Sequence, residues 1–121
     1  MKTFTTRTVI AAALLLADTT VAMADAAGTF KFYCAQCHGV SGKGDGPNVT
    51  RNFPVSPRDF NNSKEMNKLS DADMKNVIMD GGPSASKSPM MPPWGKTISE
   101  GDVDGLVRHL RKLCNCKGKP G

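Results

Sequence analysis

The stretch Cys34-Ala35-Gln36-Cys37-His38 decides the interpretation of this 121-residue chain. If the stretch is helical, the thiols of Cys34 and Cys37 lie one turn apart, and the imidazole of His38 follows directly. Two thiols at this spacing can each form a thioether with one vinyl group of a porphyrin, while the imidazole binds the iron from the same turn. The pattern C-x-x-C-H is typical of a c-type haem attachment site. We therefore expect one haem c, held covalently by Cys34 and Cys37, with His38 as the proximal iron ligand.

Three other kinds of site use two cysteines at this spacing. A thioredoxin-like redox pair is expected in a βαβ setting, and no apolar, β-rich run precedes Cys34. A zinc site needs a second pair of ligands, but Cys114 and Cys116 lie far along the chain and are separated by one residue. A structural disulfide between Cys34 and Cys37 would leave His38 without a role. The haem attachment site is the favoured interpretation.

Residues 1–24 have the features of a signal peptide that is cleaved after Ala24. A positively charged start is followed by the apolar run Val9–Ala17 and by Ala22-Met23-Ala24, which has the small-x-small cleavage pattern. The apolar run is too short to span a bilayer, so we expect no stable membrane insertion, with an uncleaved anchor as the alternative. Export places the protein in the periplasm of a Gram-negative-type bacterium, an oxidising space in which stray thiols tend to pair.

The rest of the chain predicts one small domain, residues 25–113, and a loose C-terminal tail, residues 114–121. The sequence has five Phe, one Tyr and one Trp, so a bound porphyrin would supply much of the apolar core. Its 16 Lys and Arg against 11 Asp and Glu give a net charge of +5. This mildly basic balance suits docking to acidic surfaces of redox protein partners. No basic stripe with interleaved aromatic residues indicates nucleic acid, and we expect a monomer.

Three helices are predicted, and no stretch alternates convincingly enough to be a strand. The first leads into the haem motif, roughly over residues 26–37. The second begins after Ser70, an N-cap residue with Asp73 three positions on as a carboxylate that reaches back. The third begins at Ser99, with Asp102 in the corresponding position.

The ends of the later helices also carry signals. Gly81-Gly82-Pro83 predicts the end of the second helix through a left-handed C-cap, and residues 84–93 then read as a loop rich in Ser, Lys and Pro. Gly101 and Gly105 weaken the helical propensity of the third helix. Arg111 and its basic neighbours near the end of that helix are expected to complement the helix dipole.

The second axial iron ligand is expected among the methionines of the Pro-rich loop. Thioether sulfur stabilises ferrous over ferric iron, so a Met opposite His raises the reduction potential relative to two imidazoles. Met90 and Met91 are both candidates, because the prolines around them restrict the backbone and lower the entropy lost on ligation. His109, the other histidine, lies on a helix whose apolar face suggests packing instead.

These motifs resemble the class I, mono-haem c-type cytochromes of bacteria over nearly the whole region after the signal peptide. The resemblance implies an all-α fold, with three main helices wrapped around one covalently attached haem. Besides the pentapeptide, the segments that carry the resemblance are Gly44–Pro47 and Arg58–Phe60 for the post-haem loop, Leu69–Asp73 and Gly81-Gly82 for the middle helix, Met91–Gly95 for the ligand loop, and Val107–Arg111 for the last helix.

The family's residue roles transfer to matching positions of this sequence. Its distal ligand is a Met followed directly by Pro, which implies Met91 over Met90. The carbonyl of Pro47 corresponds to the acceptor for the other ring nitrogen of the haem histidine, a bond that would fix the tautomer of His38. Phe30 corresponds to the first-helix aromatic that packs on the last helix, where His109 takes the place of a common Tyr.

Two features depart from the family pattern. The glycine that usually lets the first and last helices approach closely is Ala26 here, with Gly28 in another register, which leaves that crossing open. Cys114 and Cys116 have no counterpart in the pattern. They predict either an oxidised, functionally neutral disulfide, or an intermolecular disulfide, a partner-linked thiol or adventitious metal binding.

The resemblance implies a one-electron carrier, not an enzyme, that shuttles electrons between redox partners. Four lysines flank the expected haem-contacting segments and form either a docking rim or an ordinary solvated surface: Lys31, Lys43, Lys87 and Lys96. One alternative is a haem c subunit of a larger oxidoreductase complex. A second is a haem peroxidase or gas sensor in which Met91 leaves the iron, although no recognisable distal acid–base pair is present.

Overall fold

The computed structural model describes residues 21–121, and side chains from residue 25 onward. Most of the predicted signal peptide, residues 1–20, lies outside this range. All regular structure in the described part is helical, with no strand, which confirms the expected all-α class. The elements are α1 (Val21–Thr29), a π-helical turn (Phe30–Cys34), α2 (Ala35–His38), α3 (Ser63–Met66), α4 (Asp71–Asp80), a 3₁₀ turn (Gly82–Ala85) and α5 (Glu100–Cys114).

The first helix runs without a break into the haem motif. The N–H of Ala35 donates to the carbonyl of Phe30, five residues back, which makes the intervening turn π-helical. The sequence predicts a helix here but not the wider turn. This turn separates Phe30, which is buried, from Cys34, which is half-buried.

The sequence left the crossing of α1 and α5 open, because the usual glycine of the first helix is replaced by Ala26. In the structure the glycine at the crossing lies on α5 instead, at Gly105. Ala26 is buried, and a Cβ atom at Gly105 would lie 3.4 Å from the Cβ of Ala26. One turn further on, the rings of Phe30 and His109 are 5.0 Å apart. The predicted packing of Phe30 on His109 is confirmed, and Gly105 has a packing role that its low helical propensity did not reveal.

The capping signals of α4 and α5 are confirmed. The Ser70 hydroxyl accepts from the N–H of Asp73 at 3.0 Å, and the Asp73 carboxylate accepts from the N–H of Ser70 at 2.8 Å, which is a complete capping box. The Ser99 side chain caps α5 through the N–H of Asp102. At the other end of α4 the prediction is partly wrong. Gly81 has a positive φ of 82°, but its ψ of 172° is extended and not left-handed helical.

The expectation of a loose C-terminal tail is wrong. Cys114 is the buried last residue of α5, and Cys116 is disulfide-bonded to it. Beyond this pair the chain returns along the segment that joins α3 to α4. The N–H of Gly118 donates to Asn67 Oδ1 at 3.0 Å, and the N–H of Lys119 donates to the carbonyl of Leu69 at 3.3 Å.

Within residues 21–121, no helix has both the length and the apolar character needed to cross a membrane.

Replacing Gly105 by Leu should separate α1 from α5, because the added side chain meets Ala26. We expect the free energy of unfolding of the haem-loaded protein to fall by about 1–3 kcal/mol, measured by urea denaturation. Gly101→Leu is the matched control, since a Cβ at Gly101 meets nothing within 4 Å. Equal stability of the two variants would show that the crossing does not depend on Gly105.

Candidate haem site

Cys37 and His38 lie on the short helix α2, directly after Cys34, and the last three carbonyl groups of α2 accept hydrogen bonds from the loop that follows. The N–H of Asn48 donates to the carbonyl of Gln36 at 2.9 Å, that of Gly46 to Cys37 at 3.1 Å, and that of Gly44 to His38 at 2.8 Å. These carbonyls end the helix and have no partner within it. The glycine-rich loop therefore closes the end of α2 and fixes the orientation of Cys37 and His38.

Cys34 and Cys37 are free thiols, and both are half-buried. Burial, with a smaller contribution from the nearby Cys37, raises the pKa of the Cys34 thiol to about 11. Since neither cysteine is in a disulfide, both sulfurs are available for thioether bonds to a haem.

The His38 imidazole lies between two groups from the post-haem segment. Its Nδ1 is 3.2 Å from the carbonyl oxygen of Arg58, and its ring stacks on Phe60 with centroids 4.5 Å apart. Burial lowers the pKa of His38 below its ordinary value. The imidazole is therefore neutral at physiological pH, which is the form that binds a metal. With Nδ1 engaged at the backbone, Nε2 is the nitrogen left for the iron.

The partner of Nδ1 differs from the one that the family resemblance implies. In this structure Nδ1 contacts the carbonyl of Arg58, and not that of Pro47, and Arg58 lies two residues before Phe60, the ring on which His38 stacks. Pro47 is exposed in a turn closed by the hydrogen bond from the N–H of Val49 to the carbonyl of Gly46. The assignment of Pro47 stays a prediction. A carbonyl acceptor 20 residues from His38 leaves no local signal in the sequence.

A row of four rings connects the last helix to this imidazole. His109 packs on Phe30, Phe30 meets Phe60 edge-on with centroids 6.1 Å apart, and Phe60 stacks on His38. The sequence singled out the first contact of this row. The resemblance included Phe60 in the post-haem loop but gave its ring no role, because nothing local distinguishes a ring that packs on His38 from an ordinary core residue.

Met90 and Met91 have different environments. Met91 is half-buried and packs against the hydrophobic core, whereas 46% of Met90 is exposed. The carbonyl of Met91 accepts from the N–H of Gly82 at 2.8 Å. A Cβ atom at Gly81 would lie 3.0 Å from both the Met91 carbonyl oxygen and the backbone nitrogen of Pro93. The sequence predicted that Gly81 and Gly82 end α4. In the structure these glycines also position the backbone of Met91.

The rest of this loop is bonded to the end of α4. The N–H groups of Trp94 and Gly95 donate to the carbonyls of Ile78 and Met79, at 2.9 and 3.0 Å. The rings of Tyr33 and Trp94 are 5.3 Å apart. Since Tyr33 precedes Cys34 directly, this contact joins the haem-attachment segment to the methionine loop.

The donor set of these segments fits a haem c. It offers two free thiols, an imidazole held neutral and a half-buried thioether, next to half-buried apolar side chains of the core surface. Cys114 and Cys116 are bonded to each other, so they do not provide a second pair for zinc. In the described part of the chain, no group of three or more His, Cys, Asp or Glu side chains is placed to hold a metal ion.

Comparison with known proteins agrees with this donor set. Residues 21–110 match the protein family described as cytochrome c oxidase, cbb3-type, subunit III. The chain belongs to this family of c-type cytochromes. Cytochrome c-553 of Helicobacter pylori is 28% identical over 80 residues, which are 66% of this chain and 70% of that protein.

Two solved structures are similar to this cytochrome. The KustC0563 c-type cytochrome has a TM-score of 0.57 at 24% identity, over 73% of this chain and 95% of that one, and so shows the shared fold. A chain of the Kuenenia stuttgartiensis reducing HAO-like protein complex Kustc0457/Kustc0458 has a TM-score of 0.63 at 26% identity. That match covers 86% of the cytochrome and 49% of the other chain, so the cytochrome spans about half of its length.

The cytochrome is therefore an electron-transfer protein of class I that binds haem c covalently. The four lysines that the sequence placed near the haem are all exposed in the structure: Lys31, Lys43, Lys87 and Lys96.

Replacing Gly46 by Ala should disturb the glycine-rich loop that is hydrogen-bonded to the end of α2. The new methyl group would collide with the carbonyl oxygens of Ala35 and Gln36, which displaces the loop that bonds to the end of α2. We expect a loss of about 1–3 kcal/mol in the free energy of unfolding and a lower yield of haem-loaded protein.

Gly28→Ala is the control for this substitution, because a Cβ at Gly28 meets nothing within 4 Å. Both variants are compared by haem-stained yield per cell mass and by urea denaturation. A Gly46→Ala protein that matches the control in both measurements would contradict the role assigned to the loop.

Proposed function

We propose that the cytochrome is a periplasmic one-electron carrier with a single haem c, ligated by His38 and Met91. The observation that carries this proposal is the way in which Met91 is held. Its carbonyl accepts a hydrogen bond from Gly82, its backbone packs on Gly81, and its side chain packs against the core. A ligand held in this way favours a closed iron site. The presence of one C-x-x-C-H pattern in the sequence supports a single haem.

When bound, the haem supplies reversible one-electron chemistry at its iron. Cys34 and Cys37 fix the position of the group through covalent bonds, and His38 presents a neutral imidazole whose other nitrogen is engaged by backbone. The thioether of Met91 favours the ferrous state. Since both ligand segments are hydrogen-bonded to their surroundings, little protein rearrangement accompanies a change of oxidation state.

The N-terminal sequence supports a periplasmic location, and the net charge of the chain supports an acidic redox partner. Residues 1–24 have the pattern of an export signal, which supports the periplasm. The chain has a net charge of +5, and its four lysines near the expected haem-contacting segments are exposed. A redox partner with an acidic surface suits this charge.

A second candidate is a haem c subunit of a larger oxidoreductase. It is favoured by the similarity to a chain of the reducing HAO-like protein complex, which covers 86% of the cytochrome. Electron transfer at the iron would be identical in both cases, and only the docking surface would differ.

The replacement of Met91 by Ala should remove the distal ligand, whereas Met90→Ala should not. We expect the ferric Met91 variant to lack the far-red sulfur-to-iron band. Its reduction potential should be lower than that of the wild-type protein. The Met90 variant, changed at an exposed neighbouring side chain, is the matched control and should keep the wild-type spectrum. Persistence of the band in Met91→Ala protein would overturn the assignment.

The alternatives give different outcomes in two further measurements. Carbon monoxide binding to the wild-type ferrous protein would contradict the closed site and favour a sensor or peroxidase. Purification from the periplasm at fixed stoichiometry with other proteins would favour the subunit role over the free carrier.

A further inference from the structure

The disulfide between Cys114 and Cys116 lies at the end of α5 and takes no part in the haem site. Asn115 between the two cysteines has left-handed backbone angles, φ 47° and ψ 48°. Only 4% of Cys114 is exposed, whereas Cys116 is half-buried. Cys116 is therefore the more exposed residue of the pair, and we expect a reagent from solvent to meet it first.

Stabilisation of the fold is a weak explanation for this disulfide. A disulfide acts mainly by restricting the unfolded chain, and the effect grows with the length of the closed loop. Here one residue lies between the cysteines. The tail beyond them has its own attachments, namely the hydrogen bonds of Gly118 to Asn67 and of Lys119 to Leu69, and an ion pair of 3.1 Å between Lys119 and Asp73.

A fixed positive charge lies beside the Cys116 sulfur. Nη1 of Arg111 is 3.6 Å from Cys116 Sγ, and only 11% of the arginine side chain is exposed. The same guanidinium donates to the carbonyls of Met66 and Leu69 and to the carboxylate of Asp71, at 2.7 to 2.9 Å. Because these bonds hold the guanidinium in place, it can stabilise a thiolate at Cys116 without rearrangement.

The second sulfur has a different partner. Cys114 Sγ is 3.3 Å from the carbonyl oxygen of Arg111, a position in which a thiol donates a hydrogen bond and a thiolate is disfavoured. The surroundings thus suit both products of reduction, a thiolate at Cys116 and a thiol at Cys114.

From this arrangement we infer that Cys114 and Cys116 are a second redox site, a disulfide that exchanges with an external dithiol. One thiolate of the dithiol attacks the Cys116 sulfur, the Cys114–Cys116 bond breaks, and Cys114 takes up a proton. The second thiol of the dithiol, after losing its proton, attacks its own sulfur in the mixed disulfide and expels Cys116 as a thiolate. Two electrons pass to the cytochrome, the dithiol becomes a disulfide, and one of its two protons is released.

Other charged groups near the tail moderate the effect of Arg111. Asp71 on α4 pairs with the guanidinium and offsets part of its charge, and Lys119 is paired with Asp73. Glu65 in α3 and Lys68 just after this helix are paired with each other at 2.7 Å. Lys112 and Lys117, next to the pair in sequence, are exposed.

The first test is reduction of the full-length, haem-loaded protein by excess dithiothreitol without denaturant, followed by alkylation and mass measurement. We expect two alkylated cysteines per chain with the haem spectrum retained, since Cys34 and Cys37 are thioethers and do not react. A disulfide that stays intact until the protein is unfolded would overturn the proposal and leave a structural bridge only.

The second test compares the two single-cysteine variants. Cys114→Ser isolates Cys116, whose alkylation rate should show a midpoint at least about one pH unit below the ordinary thiol value of about 8.5. Cys116→Ser isolates Cys114, which should react at least about ten-fold more slowly at pH 7. A Cys116 midpoint at or above the ordinary value would contradict the inference.

The role of Arg111 is tested in the Cys114→Ser background. Arg111→Gln should raise the midpoint of Cys116 alkylation towards the ordinary value, whereas Arg111→Lys should retain part of the shift. The haem spectrum reports whether each variant is folded. Since these readouts concern thiols alone, they stand or fall independently of the haem ligands and of the carrier function. An unchanged midpoint in folded Arg111→Gln protein would remove the guanidinium from the proposal.

Discussion

The packing of the first helix on the last is the contact on which the site depends. Gly105 lets α5 approach Ala26, and Phe30 then lies against His109. Because α1 continues through the π-helical turn into the attachment motif without a break, this crossing also sets where the thiols lie. The ring of Phe60, between Phe30 and the imidazole of His38, extends the same constraint to that imidazole.

The methionine loop depends on α4 in a comparable way. The last carbonyl groups of a helix have no partner within it, and here those of Ile78 and Met79 accept from the loop that follows Met91. The same hydrogen bonds therefore complete the helix and position the loop. Gly81 at the end of α4 is required twice, for its positive φ and for the close approach of the Met91 carbonyl, and a side chain at Gly82 would collide with the carbonyl of Ser88.

Local signals in the sequence were sufficient for much of this structure. The attachment motif, the capping box at Ser70 and the cap at Ser99 all act between residues at most four positions apart, so that their geometry follows from spacing alone. The Met-Pro loop needed more, because the loop prolines left Met90 and Met91 equal and only the resemblance to a family separated them.

The features that could not be predicted join distant parts of the chain. Arg111 was expected to act on the dipole of its own helix, but its guanidinium turns towards carbonyls 42 and 45 residues away. Each of those carbonyls is a backbone group that any residue type would provide, so no sequence pattern marks them. The folded tail and the contact between His38 and Arg58 escaped prediction for the same reason.

The two ends of α4 are bonded to two different parts of the molecule, the C-terminal tail and the methionine loop. Its first turn is bonded to the tail through Asp73 and Lys119, and its last turn to the methionine loop. A helix of 10 residues is about 15 Å long. A haem iron exchanges one electron at a time, whereas opening the Cys114–Cys116 bond requires two electrons and the uptake of a proton at Cys114. The haem is therefore poorly matched as a reductant for the tail. A dithiol, which supplies both electrons and the proton at one place, matches a disulfide whose Cys116 is partly exposed and lies beside Arg111.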